Sequence, residues 1–167
     1  SGGEIMEHAA EAMSGLVTAG LTREIAVSLW TPAPLIEAVE MMRREGLVLP
    51  KFIQLQYNVC RRSLVESAPY QDMFNRTGIA LQAADTLEGG ILAGHLHRDR
   101  FDPEHRVSGQ WFSDRNIPRD SGGIRPKIRE MVPALRVAAS RLGVTGPQLA
   151  IAFCLLHAPV VTGLRKR

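Results

Sequence analysis

The sequence predicts an α/β fold built from parallel β/α units, and two observations lead to this prediction. Short apolar segments with strand character alternate along the chain with longer segments whose apolar residues recur at helical spacing. Strands that are separated by helices pair in parallel rather than as hairpins. The 167 residues, 45% of them apolar, suit a single domain over 1–167 with a sizeable core.

The first part of the chain contains two such units. Helical spacing of apolar residues predicts a helix over 3–19, which Gly20 ends. The segment "EIAVSLW" predicts a short buried strand up to Ser28, and Thr31 then caps a second helix that begins with "PAP". Gly46 ends this helix, and "KFIQLQY" predicts the next strand.

The second part continues the alternation but interrupts it with a long loop. Ser63 is the predicted cap of a third helix, which Pro69 is expected to distort or split, and "GIALQAA" predicts the third strand. A polar loop follows over about 88–123, and loops of this length are usually functional or disordered. Thr145 and Gln148 have the spacing of a capping box at the start of the last helix. The remaining elements are two helices and a fourth strand, at 124–141, 146–157 and 159–163.

Four parallel units are too few to close a barrel, because an eight-stranded β/α barrel takes roughly 250 residues. The short strands are apolar, and such strands are not suited to a solvated second face. The chain is therefore predicted to be a small open α/β fold or half of a barrel. Unpaired sheet edges and an uncovered, apolar inner face favour association, so we expect a homodimer.

Charge, hydropathy and cysteine spacing indicate which partners and which compartment to expect for this protein. The net charge of +3 comes from arginines scattered among acidic residues, so no nucleic-acid partner is predicted. The longest apolar run is too short and too interrupted to cross a bilayer, so no membrane partner is predicted. Cys60 and Cys154 lie in apolar segments without metal-ligand spacing, which indicates reduced, buried thiols of a cytoplasmic protein.

Five segments match one family pattern in the same order along the chain. They are "GLVTAGLTREIAVSLW", "FIQLQYN", "GIALQAADTLEGGILAG", "RLGVTGPQLAIAFCL" and "VVTGLRK". Together they resemble the second half of the aldo-keto reductase barrel, from its fourth helix to its eighth strand. The resemblance implies β/α units equivalent to half of a TIM (β/α)8 barrel, in a family that reduces carbonyls with NADPH.

The resemblance also implies a cofactor site that this sequence keeps only in part. Ser28 matches the serine of the family's Ser-Asn pair that holds the nicotinamide amide, and Gln54 matches the glutamine that shares this amide. The asparagine of the pair is Leu29, and the tyrosine that stacks on the nicotinamide ring is Ala84, so the π-face is lost. The family's phosphate-binding region is matched by Gly163, Arg165 and Lys166.

The resemblance does not extend to the residues that carry out reduction in this family. Its catalytic aspartate, tyrosine, lysine and histidine come from the first four strands, which the matched region does not include. Carbonyl reduction without the tyrosine has no proton donor. We therefore predict no cofactor, with NADPH as the cofactor only if the chain works as part of a reductase.

Two acidic residues follow the third strand, where barrel enzymes place their working groups. Asp85 and Glu88 are the predicted catalytic residues, because two carboxylates at a strand end can serve as general acid and base. The alternative is an ordinary solvated loop with two acids. The loop segment "HLHRDRFDPEH" contains three histidines, but no further ligand motif accompanies them, and we predict no metal site.

Three aromatic residues are the candidates for a substrate-binding wall, with core packing as the alternative for each. They are Trp30, Tyr57 and Trp111. Trp30 and Tyr57 follow strand ends, whereas Trp111 lies in the long loop, which closes over the ligand in the family that the chain resembles.

Three functions remain open on the sequence. The first is a non-redox enzyme of specialised metabolism, a cyclase, isomerase or lyase that acts on a small molecule. The second is the C-terminal part of an NADPH-dependent reductase that needs a separate N-terminal half. The third is a non-catalytic binding scaffold. Fold-level likeness alone does not choose among them.

Overall fold

The predicted alternation of helices and strands is present in the computed structural model, which describes residues 2–94 and 124–156. The elements are α1 (Gly2–Thr18), β1 (Ala26–Ser28), α2 (Pro32–Arg44), β2 (Phe52–Gln56), α3 (Ala68–Thr77), β3 (Ala80–Ala84), a 3₁₀ helix (Glu88–Ala93), α4 (Ile124–Arg141) and α5 (Gly146–Leu155). The predicted fourth strand, 159–163, lies outside the described residues.

The three described strands form one parallel sheet in the order β1-β2-β3. The register aligns Val27 with Ile53, and Ile53 with Leu81. Neighbouring strands in the sheet are thus consecutive in the chain, with α2 and α3 as the connections. This arrangement confirms the α/β class and the parallel β/α units.

The two faces of the sheet differ in polarity, which corrects the expectation of an apolar second face. Burial alternates residue by residue along β2 and β3. The buried face, with Ile53, Leu55 and Leu81, packs against α2 and α3 in the largest core cluster. The opposite face, called the inner wall below, carries eight side chains. These are Ala26, Ser28, Phe52, Gln54, Gln56, Ala80, Gln82 and Ala84.

The beginning of the predicted loop over 88–123 is part of the core. Its first residues form the 3₁₀ helix, and Ile91 and Leu92 of this helix are 1% and 2% exposed. They pack with Ile128 and Val132 of α4 and with Ala150 of α5. The loop prediction was therefore wrong for these residues, and residues 95–123 lie outside the described part.

Helix α3 begins later than predicted. Its N-cap is Ser67 rather than Ser63, and Pro69 lies in the first turn of the helix. A proline in the first turn is tolerated because backbone N–H groups there have no partner within the helix. Pro69 therefore marks the start of α3 and does not distort or split it.

Among the described residues, no helix combines the length and the apolar character that crossing a membrane requires. The helices instead present one side to a core cluster, as α1 does with Ala10 against Met42 of α2 and Ile25 before β1. This is the pattern of helices that cover a sheet.

Two threonine N-caps provide a matched test of capping. The Thr145 hydroxyl accepts a hydrogen bond from the backbone N–H of Gln148, and the Gln148 side chain accepts one from the Thr145 N–H at 2.8 Å. Thr31 caps α2 without any side-chain bond. We expect Thr145→Ala to lower the free energy of unfolding by about 1 kcal/mol and Thr31→Ala to lower it much less. Urea denaturation of the two variants measures this, and equal losses would contradict the capping geometry.

Candidate functional site

The carboxyl ends of the three parallel strands lie together at one end of the sheet, which is called the carboxyl edge below. Residues with a strained backbone conformation are concentrated there. In the described part of the chain, the non-glycine residues with positive φ are Leu29 (59°), Asp85 (54°) and Glu88 (50°). Leu29 directly follows β1, and the two acidic residues follow β3. A side chain in this conformation costs on the order of 1–3 kcal/mol, and such strain clusters at functional sites.

A row of polar side chains runs across the inner wall from strand to strand, near the carboxyl ends of the strands. The register aligns Ser28 with Gln54 and Gln54 with Gln82. The Gln54 amide nitrogen donates to the Gln82 side-chain oxygen at 3.1 Å. The Gln54 side-chain oxygen accepts no hydrogen bond from the described residues, so it can receive a donor from a ligand.

Asp85 extends the inner wall beyond the end of β3. Its carboxylate accepts a hydrogen bond from the Gln56 side-chain nitrogen at 2.8 Å, and Gln56 belongs to the inner wall. The carboxylate therefore lies on the inner-wall side of the sheet. The backbone carbonyl of Asp85 accepts from the Asn58 side chain at 3.0 Å and from the Glu88 N–H at 2.9 Å. These bonds fix both the backbone and the side chain of Asp85.

Glu88, the second predicted catalytic acid, forms a buried ion pair. Its side chain is 0% exposed, and Arg61 is 13% exposed. Arg61 donates to the two carboxylate oxygens from Nη2 at 2.6 Å and from Nε at 2.7 Å. The Asn58 side chain donates to the same carboxylate at 2.8 Å. This two-pronged geometry is that of a strong structural pair.

The structure thus separates the two acids that were predicted to act together. Asp85 lies on the inner wall, whereas Glu88 is enclosed by Arg61 and Asn58 and joins the segment after β2 to the 3₁₀ helix. Their catalytic roles stay predictions. The geometry gives only Asp85 a position from which it can meet a ligand on the inner wall.

The aromatic candidates differ in position. Tyr57 is 1% exposed and stacks on Phe153 at a centroid distance of 5.8 Å. Burial, together with the hydrogen bond from its hydroxyl to Glu66, raises the pKa of Tyr57 to about 12. This placement favours core packing over a substrate wall for Tyr57. Trp30 is half-buried against the same core cluster, and Trp111 lies outside the described residues.

Both cysteines are free thiols, as the sequence indicates. Burial raises the pKa of Cys60, and the charge of Glu88 raises it further, while Arg61 opposes this shift. Burial likewise raises the pKa of Cys154. A thiol with a raised pKa is a poor nucleophile at neutral pH, so neither cysteine is a catalytic candidate.

Several of the residues singled out from the sequence are not among those that the structure describes. These are the phosphate-binding candidates Gly163, Arg165 and Lys166 and the histidine-rich segment 95–105. Within 2–94 and 124–156, no group of three or more potential metal ligands is present.

Sequence reasoning missed four polar residues of this edge. They are Gln56, Asn58, Arg61 and Gln82. For the two glutamines a signal was present, because "FIQLQ" and "ALQAA" place polar residues at alternate positions of a strand. Nothing in the sequence pairs Arg61 with Glu88, which lie 27 positions apart.

A parallel β/α sheet with a polar wall at its carboxyl edge is the architecture of barrel enzymes. The model of the Aldo/keto reductase family matches residues 4–166, and the chain belongs to this family. A glycerol dehydrogenase from Gluconobacter oxydans has a similar structure, with 19% sequence identity and a TM-score of 0.61. The match covers 93% of this chain and 43% of that enzyme, so the chain corresponds to less than half of its barrel. At this identity the likeness shows the fold alone.

The described residues fit one part of the NADPH that the family implies. Ser28 and the available oxygen of Gln54 lie side by side in register and suit the carboxamide of nicotinamide. Ala84 provides no aromatic face for the ring, and Leu29, 76% exposed, replaces an amide side chain. The inner wall therefore fits the amide of the cofactor and does not fit its ring.

The buried ion pair between Arg61 and Glu88 should contribute strongly to the free energy of unfolding. Arg61→Met leaves the Glu88 carboxylate buried without its cation, and we expect a loss of about 3–5 kcal/mol in the free energy of unfolding. Lys51→Met serves as a control, because it breaks a pair with Glu24 whose side chains are 57% and 47% exposed. An exposed pair of this kind contributes at most about 1 kcal/mol. Urea denaturation measures both variants, and equal losses would show that the Arg61–Glu88 pair is not structural.

Proposed function

We propose that the inner wall binds a small molecule and that, in a closed barrel, this family member is a non-redox enzyme of the cyclase, isomerase or lyase type in specialised metabolism. The observation that carries the proposal is the polar row of Ser28, Gln54 and Gln82, which continues through Gln56 to Asp85. Polar side chains on the inner face of a barrel sheet, at the carboxyl ends of its strands, are placed to contact a ligand.

Asp85 is the residue of this wall that distinguishes it from a nicotinamide site. Its carboxylate is held on the wall by Gln56, at the carboxyl end of β3. Hydrogen bonds to its carboxylate and to its backbone carbonyl hold Asp85 in a left-handed backbone conformation. Backbone strain that is maintained in this way is a feature of functional positions. We assign Asp85 as the residue that contacts the reacting ligand, with Glu88 supporting it through Asn58.

A second candidate function is the C-terminal part of an NADPH-dependent reductase. It is favoured by Ser28 and Gln54, which match the family residues that hold the nicotinamide amide. The two residues lie in register on neighbouring strands, and the Gln54 side-chain oxygen can accept a hydrogen bond from that amide. In this function the catalytic groups come from the first four β/α units of the barrel. Ala84 and Leu29 weigh against it, because the ring loses its stacking partner and one of its amide ligands.

One titration separates these functions. In the ¹⁵N-labelled chain, the side-chain amide signals of Gln54, Gln56 and Gln82 report on the inner wall. We expect small neutral and charged molecules to shift these signals, and NADPH to bind with a Kd on the order of 1 mM or weaker. Gln71, whose amide donates to the Val65 carbonyl from α3, is the control signal that should not move.

The outcomes of this titration are distinct. Saturable micromolar binding of NADPH, lost in Gln54→Leu and kept in Gln71→Leu, would establish the reductase part in place of the non-redox enzyme. Shifts at Gln71 equal to those of the wall amides would mean non-specific binding. A wall that responds to no small molecule would favour the non-catalytic scaffold.

We further propose that a second copy of the chain closes the barrel. In the described sheet, β1 and β3 are edge strands, and an unpaired strand edge invites association. Leu29 is 76% exposed at the carboxyl end of β1. The homodimer prediction from the sequence rests in part on uncovered strand edges, and the described sheet has such edges.

Light scattering checks the proposed homodimer. We expect a mass twice that of the 18.3 kDa chain. Leu29→Asp should shift the chain towards the monomer, and aspartate tolerates the left-handed backbone at this position better than leucine does. Leu21→Asp is the control, because Leu21 is equally exposed, at 76%, but precedes β1. A monomer in the unchanged chain would exclude the second copy as the partner.

A further inference from the structure

Helix α1 has an apolar surface that is wider than the part that packs on α2. Ala10 and Val17 belong to the core cluster that α1 shares with α2. A second row of apolar residues, called the α1 row below, consists of Ala9, Ala12 and Leu16. Their spacing of three and four residues places them along one adjacent side of the helix. All three are exposed, Leu16 by 46%, so α1 is suited to pack against one further helix.

Helix α5 also leaves an apolar row exposed. Its ten residues, GPQLAIAFCL, include no charged side chain. Ala150 and Cys154 are buried on the side that faces the core. The exposed side carries Ala152, Leu155 and the following Leu156, which are called the α5 row below, and the two leucines are 61% and 81% exposed. A helix that is apolar on all sides is typically buried on all sides, so α5 is also suited to a further partner.

The two rows lie at opposite ends of the described fold. The sheet order β1-β2-β3 follows the chain, with α1 before the first strand and α5 after the last. In its core cluster α1 packs with α2, whereas α5 packs with α4 and the 3₁₀ helix. The exposure of both rows shows that they do not cover each other within one chain.

A second copy of the chain would bring the two rows together. In a closed β/α barrel the helices form an outer ring, so each helix lies beside the helix of the next unit. The chain corresponds to 43% of a solved barrel enzyme, so a ring needs a second set of units. In a ring of two copies, the last helix of one copy is followed by the first helix of the other.

We propose that the α1 row of one copy packs on the α5 row of its partner, and that this contact occurs twice in the homodimer. The inference rests on the second copy proposed above and names the surfaces that meet. A contact that a two-fold axis repeats closes the assembly at two copies. The repeat also doubles the buried area, and a stable interface is larger than a single short helix pair provides.

The charges on the two helices are compatible with this contact. The exposed acids Glu7 and Glu11 lie four residues apart, on the side of α1 opposite the α1 row. Because α5 has no charged residue, packing the two rows together brings no like charges into contact. Removal of apolar surface from water is then the driving force for association.

Two variants and their mixture test which helices meet. Leu16→Glu introduces a negative charge into the α1 row, and Leu155→Lys introduces a positive charge into the α5 row. In a homodimer of either variant each charge meets an apolar row, so we expect the dimer Kd to rise about tenfold or more. In an equimolar mixture one contact pairs the two introduced charges and the other contact is unchanged, so the dimer should recover. Light scattering over a dilution series measures both effects.

Val137→Glu is the matched control, because Val137 is 53% exposed on α4 and belongs to neither row. It should leave the dimer Kd unchanged, and far-ultraviolet circular dichroism should show the same helix content in all three variants. A salt titration gives a second measurement. Raising the ionic strength should weaken the mixed dimer, which contains a charge pair, and leave the dimer of the unchanged chain unaffected.

The outcomes separate this inference from the proposals on which it rests. A dimer Kd that neither variant changes would overturn the contact between the rows and leave the homodimer intact. Loss of the dimer in both variants without recovery in the mixture would overturn the pairing of α1 with α5, because each row would then meet its own copy. A monomer in the unchanged chain would exclude both the homodimer and this contact. Small-molecule binding at the inner wall is measured independently by the glutamine amide signals.

Discussion

The carboxyl edge of this sheet depends on the buried ion pair between Arg61 and Glu88. Two charges in a largely solvent-free environment are stable together only when each satisfies the other and the remaining lone pairs are bonded. Asn58 completes this requirement, since its side chain donates both to Glu88 and to the backbone carbonyl of Asp85. The segment after β2 and the turn after β3 are thereby held by one network, and the geometry of the inner wall follows from it.

This network explains how the left-handed conformations of Asp85 and Glu88 are maintained. Each residue departs from the preferred backbone region, with φ values of 54° and 50°. The Asp85 carbonyl accepts two hydrogen bonds, and the Glu88 carboxylate accepts three or more from Arg61 and Asn58. These bonds offset a strain on the order of 1–3 kcal/mol per residue. The result is a carboxylate, that of Asp85, with a defined position on the inner wall.

The sequence predicted the units of this fold because helical periodicity, glycine stops and capping residues are local signals. The bounds of α4 and the capping box of Thr145 and Gln148 were confirmed for this reason. The start of α3 was wrong because a proline is read as a helix breaker unless its position in the first turn is known. The pairing of Arg61 with Glu88 could not be predicted, since it depends on which loops meet at the sheet edge and not on any local pattern.

Ala84 and Asp85 are neighbours in the chain, and both are next to the side chain of Gln56. The register places Ala84 opposite Gln56 on the inner wall, and Gln56 reaches past this position to bond Asp85. Side chains in register on adjacent strands lie about 5 Å apart, so a tyrosine at position 84 would compete with Gln56 for that space. The small side chain of Ala84 is therefore compatible with the Gln56–Asp85 hydrogen bond. An alanine at position 84 and a fixed carboxylate at position 85 thus occur together at this strand end.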